Sequence, residues 1–278
     1  MNVQTRAYKH FGKCLWIGNG VWELGITLEL GPRILYFALA DGENVFYEQP
    51  DDADYLCTPE GWRVFGGTRL WLAPESEHPL YHPDLAPASF ECGKDEVTVT
   101  QEEDEALGVV KRITVAETEE KSAVSVRYEI QNTGTRPLTG APWAVSAMRA
   151  GGELTIPFRE ESRALTAKAG RFLSLWNSTS LADPRLRFTE DAVTVAQRPE
   201  DAYFKLGLFC AAGEAHYRIG ERVFTKTFPV LPKATYPDGG VNLEVYCCTH
   251  MLEFETLAPL AVIRPGETVE HTERWMIL

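Results

Sequence analysis

The sequence contains no sustained stripe of apolar residues at helical spacing, so a helical bundle or a doubly wound α/β fold finds no support in it. No window approaches the ~18 consecutive apolar residues of a membrane-spanning helix. Residues 1–13 carry Arg6, Lys9 and His10 but no apolar run of leader length, which predicts a chain without a secretory leader. Positive charge is scarce: 27 Lys+Arg face 40 Asp+Glu, a formal charge of -13. Such a field repels phosphate backbones and anionic lipid, so neither nucleic acid nor membrane is expected as a partner. The six cysteines (Cys14, Cys57, Cys92, Cys210, Cys247 and Cys248) show no C-x-x-C spacing, which predicts free thiols and a reducing, cytoplasmic setting. The six histidines form no metal signature. His78 and His82 stand four apart, but Pro79 between them argues against a helical ligand pair. Nucleophile motifs and phosphate-cradling glycine loops are missing as well, so no metal and no cofactor is expected.

What the sequence does have is period-2 alternation. Trp22, Leu24, Ile26, Leu28 and Leu30 are apolar while Glu23, Thr27 and Glu29 are polar. Val124, Val126, Tyr128 and Ile130 alternate in the same way with Ser125, Arg127, Glu129 and Gln131. Each run reads as a half-buried strand. Further strands are expected near residues 33–39, 44–48, 96–101, 109–116, 144–148, 192–197, 203–209, 215–219, 223–228, 241–248, 251–257 and 269–277. Turn chemistry separates them, as at Asn132-Thr133-Gly134, Pro237-Asp238-Gly239-Gly240 and Pro265-Gly266. With no repeat or linker in view, residues 1–278 read as one all-β domain, a large antiparallel β-sandwich. Two stretches break the alternation. Residues 57–90 are rich in proline and aromatics and read as a long functional loop; residues 181–200 read as a surface excursion. The acidic patch Glu102, Glu103, Asp104 and Glu105 reads as an exposed hairpin.

Two constellations carry chemistry. In a strand over residues 251–257, Glu253 and Glu255 share one face and Leu252 and Phe254 the other. Paired carboxylates raise each other's pKa and suit acid–base work; a solvated outer face is the plain alternative. Glu244 and Tyr246 extend this polar face. The second constellation runs from Trp62 to Glu75, where Gly66 and Gly67 permit close backbone approach and Arg69 and Trp71 supply a donor and a ring. A glycine turn feeding an ordinary strand is the alternative there.

These same residues carry a resemblance. The tail with Met251-Leu252-Glu253-Phe254-Glu255-Thr256, Pro265-Gly266-Glu267 and His271 to Trp275 resembles the end of aldose 1-epimerases and glucose-6-phosphate 1-epimerases. Phe65-Gly66-Gly67 is similar to a glycine segment of the hexose-phosphate epimerases, and Gly31-Pro32-Arg33-Ile34 to an early strand of the galactose-mutarotase-like superfamily. A bacterial mutarotase-like family with G-P-R-I, G-G-x-R-L-W-x-A-P-E and M-L-E-x-E-T motifs is the nearest in pattern. The resemblance implies a mutarotase-like supersandwich and a small-molecule carbohydrate partner. It also implies an isomerase chemistry in which Glu255 is the general base. The family's histidines are not matched: Ala141 to Ser146 contains none, and none precedes Gly66-Gly67. His78 is the expected acid, with His82 as its alternative, because a neutral-range imidazole donates a proton and an arginine only polarises. Arg33, Arg69, Trp71, Glu75, Asp238 and Glu253 are the expected substrate-binding residues. Two other readings stand beside this one: a non-catalytic carbohydrate-binding module or sensor, and, ranked lowest, a hydrolase or lyase using Glu253 and Glu255. Arg33, Arg63 and Arg69 would be the phosphate contacts if the sugar were phosphorylated. The oligomeric state is left open.

Overall fold

A strand with one apolar face is stable only when that face is covered, and at this density of strands the cover is another sheet. The computed structural model describes residues 1–79, 81, 83, 85–158 and 171–278. Among them, two large antiparallel sheets account for nearly all the regular structure.

The first sheet has 11 strands. Its path runs β1 (Asn2–Ala7), β2 (Lys13–Gly18), β3 (Trp22–Thr27), β4 (Ile34–Leu39), β5 (Gly67–Ala73), β10 (Leu138–Met148), β19 (Leu252–Leu257), β18 (Leu243–Cys247), β15 (Phe204–Leu208) and β12 (Leu173–Leu175), with β20 (Ala261–Ile263) beside β10. The second sheet has 10 strands. It runs β13 (Leu186–Phe188), β14 (Ala192–Ala196), β11 (Glu153–Pro157), β16 (Glu214–Ile219), β17 (Arg222–Thr227), β21 (Thr268–Ile277), β9 (Ala123–Asn132), β8 (Val109–Glu117), β7 (Glu96–Gln101) and β6 (Ala88–Cys92).

The alternating residues fill the space between the sheets as the pattern requires. Trp22, Leu24 and Ile26 of β3 and Val124, Val126, Tyr128 and Ile130 of β9 are all buried in one core. Aromatic rings knit the two layers together: Phe37 of β4 lies 5.5 Å from Trp275 of β21, and Phe224 of β17 meets Phe254 of β19 at 6.5 Å. A polar network is buried in the same layer. Glu273 accepts from Lys226 Nζ at 2.8 Å, from Trp275 Nε1 at 2.7 Å and from Tyr128 Oη at 3.2 Å. Burial alone would raise the Glu273 carboxyl, but Lys226 and His271 outweigh it and hold it below its usual range. Satisfied on all sides, this network is compatible with a dry interior.

The structure corrects three of the expectations. Residues 57–90 do not form one long loop: β5 lies within them and is a central strand, every residue of it buried. The residues after it make a short 3-10 turn, Glu75–Glu77. The 181–200 excursion contains β13 and all of β14, paired at a sheet edge. In the acidic patch, Asp104 is buried and ion-paired with Lys111 at 3.1 Å, while its neighbours Glu102, Glu103 and Glu105 are exposed.

Candidate active site

Strand register assembles the site. Reading across the first sheet, Arg69 of β5 stands opposite Val145 of β10, Val145 opposite Glu255 of β19, and Glu255 opposite Glu244 of β18. One step away, Gly67, Ala147, Glu253, Tyr246 and Lys205 form a parallel row. Trp71 and Trp143 begin a third. Because side chains alternate, all of these project from the same face of the sheet, away from Leu252, Phe254 and Thr256, which face the core. Gly66 and Gly67 make the approach to β5 possible. Both have positive φ (104° and 64°), and a Cβ on Gly67 would sit 2.3 Å from the Ile34 carbonyl oxygen.

Over this floor lies a cleft of about 280 Å³ lined by Trp62, Arg69, Trp71, Trp143, Lys205 and Glu253, with Glu75, Tyr81, Tyr203, Tyr246 and a few apolar residues at its walls. A larger groove, about 610 Å³, follows β1 to β3 beside Trp16 and Glu23, but no cluster of ionisable side chains lines it. Other surface clefts are lined by exposed or half-buried charges, whereas the smaller cleft is lined by the buried Arg69, Lys205 and Glu253.

Lys205 is its centre. The ammonium lies 2.9 Å from Glu244 Oε2, 3.2 Å from Glu255 Oε2 and 3.9 Å from Glu75 Oε2. It also sits over the rings of Trp143 (4.3 Å) and Trp176 (4.9 Å). Burial would lower its pKa, but Glu255 and Glu244 outweigh that and hold it above the ordinary lysine value. Glu255 has no exposed surface, and burial pushes its carboxyl up to about 7 against the opposing pull of Lys205. Burial raises Glu244 well above its ordinary value, again against Lys205, with Glu255 and Asp238 adding to the rise. Asp238 is raised by burial too, while Glu244 and Lys205 pull it down.

Arg69 forms the second charged centre. It donates Nη2 to Glu253 Oε1 at 2.9 Å and lies 4.1 Å over the Trp71 ring. Tyr81 donates to Glu75 Oε1 at 2.5 Å and closes the wall above Trp62 and Trp71. Among the described residues, four buried donors lining the cleft have no hydrogen-bond partner: Arg69 Nε and Nη1, Trp62 Nε1 and Trp143 Nε1. Buried donors without acceptors are uncommon, and these four belong to residues that line one cleft, beside Glu255 Oε1, a buried acceptor that also lacks a partner.

Of the residues singled out in the sequence, Arg69, Trp71, Glu75 and Glu253 meet at the cleft, with Glu255 and Asp238 packed against its charged cluster. Two do not join them. Arg33 is buried under the Phe65 ring and donates to the Val64 carbonyl at 3.4 Å, so its guanidinium is held in the frame below the loop and does not line the cleft. His78 ends the 3-10 turn with its Nε2 3.2 Å from the Thr139 carbonyl oxygen, also away from the lining residues. Burial lowers its pKa. His82 lies outside the described residues. Trp71 is present but differently from expectation: it is 3% exposed, roofed by Arg69 and edged by Trp62, Tyr81 and Trp143, and offers no open stacking face. Lys205 was missed altogether. Its signal was a single charge inside the apolar run Tyr203-Phe204-Lys205-Leu206-Gly207-Leu208.

No family profile matches the sequence, and no curated protein matches it. Solved structures do. The chain superposes on a galactose mutarotase-like protein from Clostridium acetobutylicum with a TM-score of 0.58 and 10% identity, over 99% of this chain and 98% of that one. A galactose mutarotase-like protein from Lactobacillus casei gives 0.54 and 11%, over 95% and 100%. A TPR-domain containing protein from Parabacteroides distasonis gives 0.64 and 14% over 95% of this chain, which spans only 47% of that longer protein. At such identities the likeness is one of fold. The chain has the galactose mutarotase-like β-sandwich fold.

Proposed function

We propose that the cleft over β5, β10, β19, β18 and β15 binds a monosaccharide, and that the protein is an aldose 1-epimerase-like isomerase with Glu255 as its general base. The observation that carries this reading is the set of four unpartnered buried donors, on Arg69, Trp62 and Trp143, around a cleft of about 280 Å³. A pyranose supplies oxygen acceptors on every side and apolar C–H faces for the rings between them. The volume lies just below the usual range of ligand clefts, roughly 300–1,000 Å³, and suits one sugar ring.

The chemistry follows from the charges. Glu255, with its carboxyl raised to about 7, is a base matched to neutral pH. It takes the proton from the anomeric hydroxyl as the bond between C1 and the ring oxygen breaks. Arg69 polarises the ring oxygen, which leaves as an alkoxide and takes a proton from water; the open aldehyde rotates and closes on its other face as the ring hydroxyl gives its proton back to that hydroxide and Glu255 returns its proton to the C1 oxygen. With His78 held at the Thr139 carbonyl, the electrophilic role falls to Arg69 in this reading. Lys205 lies between Glu255 and the cleft, so the anomeric oxygen reaches the carboxylate only when the ammonium moves aside. That last observation also favours the second reading, a carbohydrate-binding module or sensor in which Lys205 keeps Glu255 covered. A crystal soaked with a mixture of neutral hexoses tests the site. A pyranose bonded to Arg69 and to the indole nitrogens of Trp62 and Trp143 is expected. A cleft that stays empty while sugar occupies another surface would remove the basis of the proposal.

A further inference from the structure

Behind Glu255, on the far side of its strand, lies a set of buried polar groups that the proposed chemistry does not use. β19 carries Glu253 and Glu255 on its cleft face and turns Phe254 and Thr256 toward the second sheet. Its ladders with β10 and β18 hold it within the first sheet, but they do not set its height above the second. Apolar contact across the layer, such as Phe224 of β17 against Phe254 at 6.5 Å, is not directional. Hydrogen bonds are, and those crossing from the second sheet to β19 fall on the residues either side of Glu255. Lys226 of β17 donates Nζ to the Phe254 carbonyl at 3.3 Å and to Glu273 Oε1 at 2.8 Å. Thr256 donates its hydroxyl to the same Glu273 oxygen at 2.5 Å and lies 2.8 Å from His271 Nε2. A hydroxyl has one proton to give, and a carboxylate only accepts, so His271 must be the donor to Thr256 Oγ1. Tyr128 and Trp275 fill Oε2 of Glu273. Lys226 and Glu273 are fully buried, and replacing such a pair by apolar side chains is often neutral or stabilising. What this network supplies, and the apolar layer around it does not, is fixed geometry at Phe254 and Thr256.

We infer that Thr256, Lys226, Glu273 and His271 are positioning residues for Glu255: they tether β19 on both sides of it to the second sheet and so hold the carboxylate at one depth in the cleft. The inference rests on the reading of Glu255 as the base. It adds the residues on which the placement of that base depends, none of which lines the cleft. A reacting group misplaced by about 1 Å can cost on the order of a hundredfold in rate, and a smaller drift after loss of one tether correspondingly less.

Thr256→Val keeps the shape of the side chain and removes both of its hydrogen bonds; Thr256→Ser puts the hydroxyl back. Each is compared with wild type by NMR of anomer exchange and by titration of the Glu255 carboxyl carbon in glutamate-labelled protein. Thr256→Val should lower kcat about tenfold with KM within about twofold of wild type, and Thr256→Ser should recover most of the loss. The charged groups around Glu255 are Lys205, Glu244, Glu253 and Arg69 on the cleft side and Lys226 behind. A carboxylate that drifts from Lys205 loses part of its downward pull, so the Glu255 midpoint should rise by about half a unit or more in Thr256→Val and return in Thr256→Ser. Should Thr256→Val fail to fold, Lys226→Met combined with Glu273→Gln, which leaves no buried charge alone, should show the same fall in kcat and the same rise. A folded Thr256→Val that loses stability in urea while kcat and the midpoint stay put would overturn the inference, since the network would then serve the fold alone. If wild type accelerates no aldose, the reading of Glu255 as a base falls, and the midpoint alone decides whether the network places this carboxylate: a rise reversed by serine upholds it, and no change overturns it.

Discussion

Replacing Lys205 isolates the interaction that sets the state of Glu255. The ammonium stands 3.2 Å from Glu255 Oε2 and pulls its carboxyl downward, against the burial that raises it to about 7. In Lys205→Met the burial remains and the opposing charge is gone, so the Glu255 pKa must rise. A neighbouring opposite charge is typically worth about 1–3 units, or roughly 1.4 kcal/mol for each. At pH 7 Glu255 in the wild type is about half ionised. A rise of one unit leaves about a tenth ionised, and a rise of two about a hundredth. The direct assay is a carboxyl carbon NMR titration of protein labelled at glutamate, with Glu255→Gln used to assign the resonance. Lys205→Arg, which keeps the charge, should return the midpoint close to its wild-type position. If turnover is observed, the acid limb of its pH profile should move up by the same amount. A midpoint that stays put or falls in Lys205→Met, in protein whose circular dichroism is unchanged, would refute the argument that Lys205 governs this carboxyl.

Two further outcomes follow from burial. Trp71→Ala empties a site enclosed by Arg69, Trp62, Tyr81 and Trp143, and should cost about 3–5 kcal/mol of stability in urea denaturation. A variant that keeps its stability and loses only sugar affinity would restore Trp71 as an open platform. His271 is buried at 2.8 Å from Thr256 Oγ1, and burial lowers its pKa to about 4 from 6.5. Below pH 6.5 the unfolded chain therefore binds a proton that the native state refuses. Stability should be full above that pH and fall by up to about 3 kcal/mol as the pH drops toward 4. His271→Asn should flatten that part of the curve, and an unchanged slope would show that other groups are responsible.

Much of the frame was legible because a half-buried strand writes its two faces into the sequence. Trp22 to Ile26 and Val124 to Ile130 are such strands, and the same logic put Glu253 and Glu255 on one face of β19. Strand β5 was hidden for the opposite reason. Arg69 and Trp71 are as buried in the cleft as Thr68, Leu70 and Leu72 are on the other face, so Gly67–Ala73 has no polar side to alternate with. The site was legible where chemistry lies along one strand and illegible where it crosses strands. Lys205 and Glu244 join Glu255 only through the pairing of β15, β18 and β19, a register that no single segment records. Arg33 and His78 were misplaced because their positions depend on how the turns around Phe65 and after Pro74 fold back, and backbone carbonyls claim both side chains.

The central claim, that Glu255 is the base of a sugar 1-epimerase, is tested most directly by NMR exchange spectroscopy of the anomers of free aldoses at pH 7.5, with wild type, Glu255→Gln and Glu253→Gln side by side. The account predicts that wild type accelerates anomer exchange. Glu255→Gln, which keeps shape but cannot accept the proton, should slow it by roughly 10²–10⁴ with little change in affinity. Exchange that survives Glu255→Gln and vanishes in Glu253→Gln would contradict the choice of carboxylate. Sugar binding without acceleration by the wild type would contradict catalysis itself.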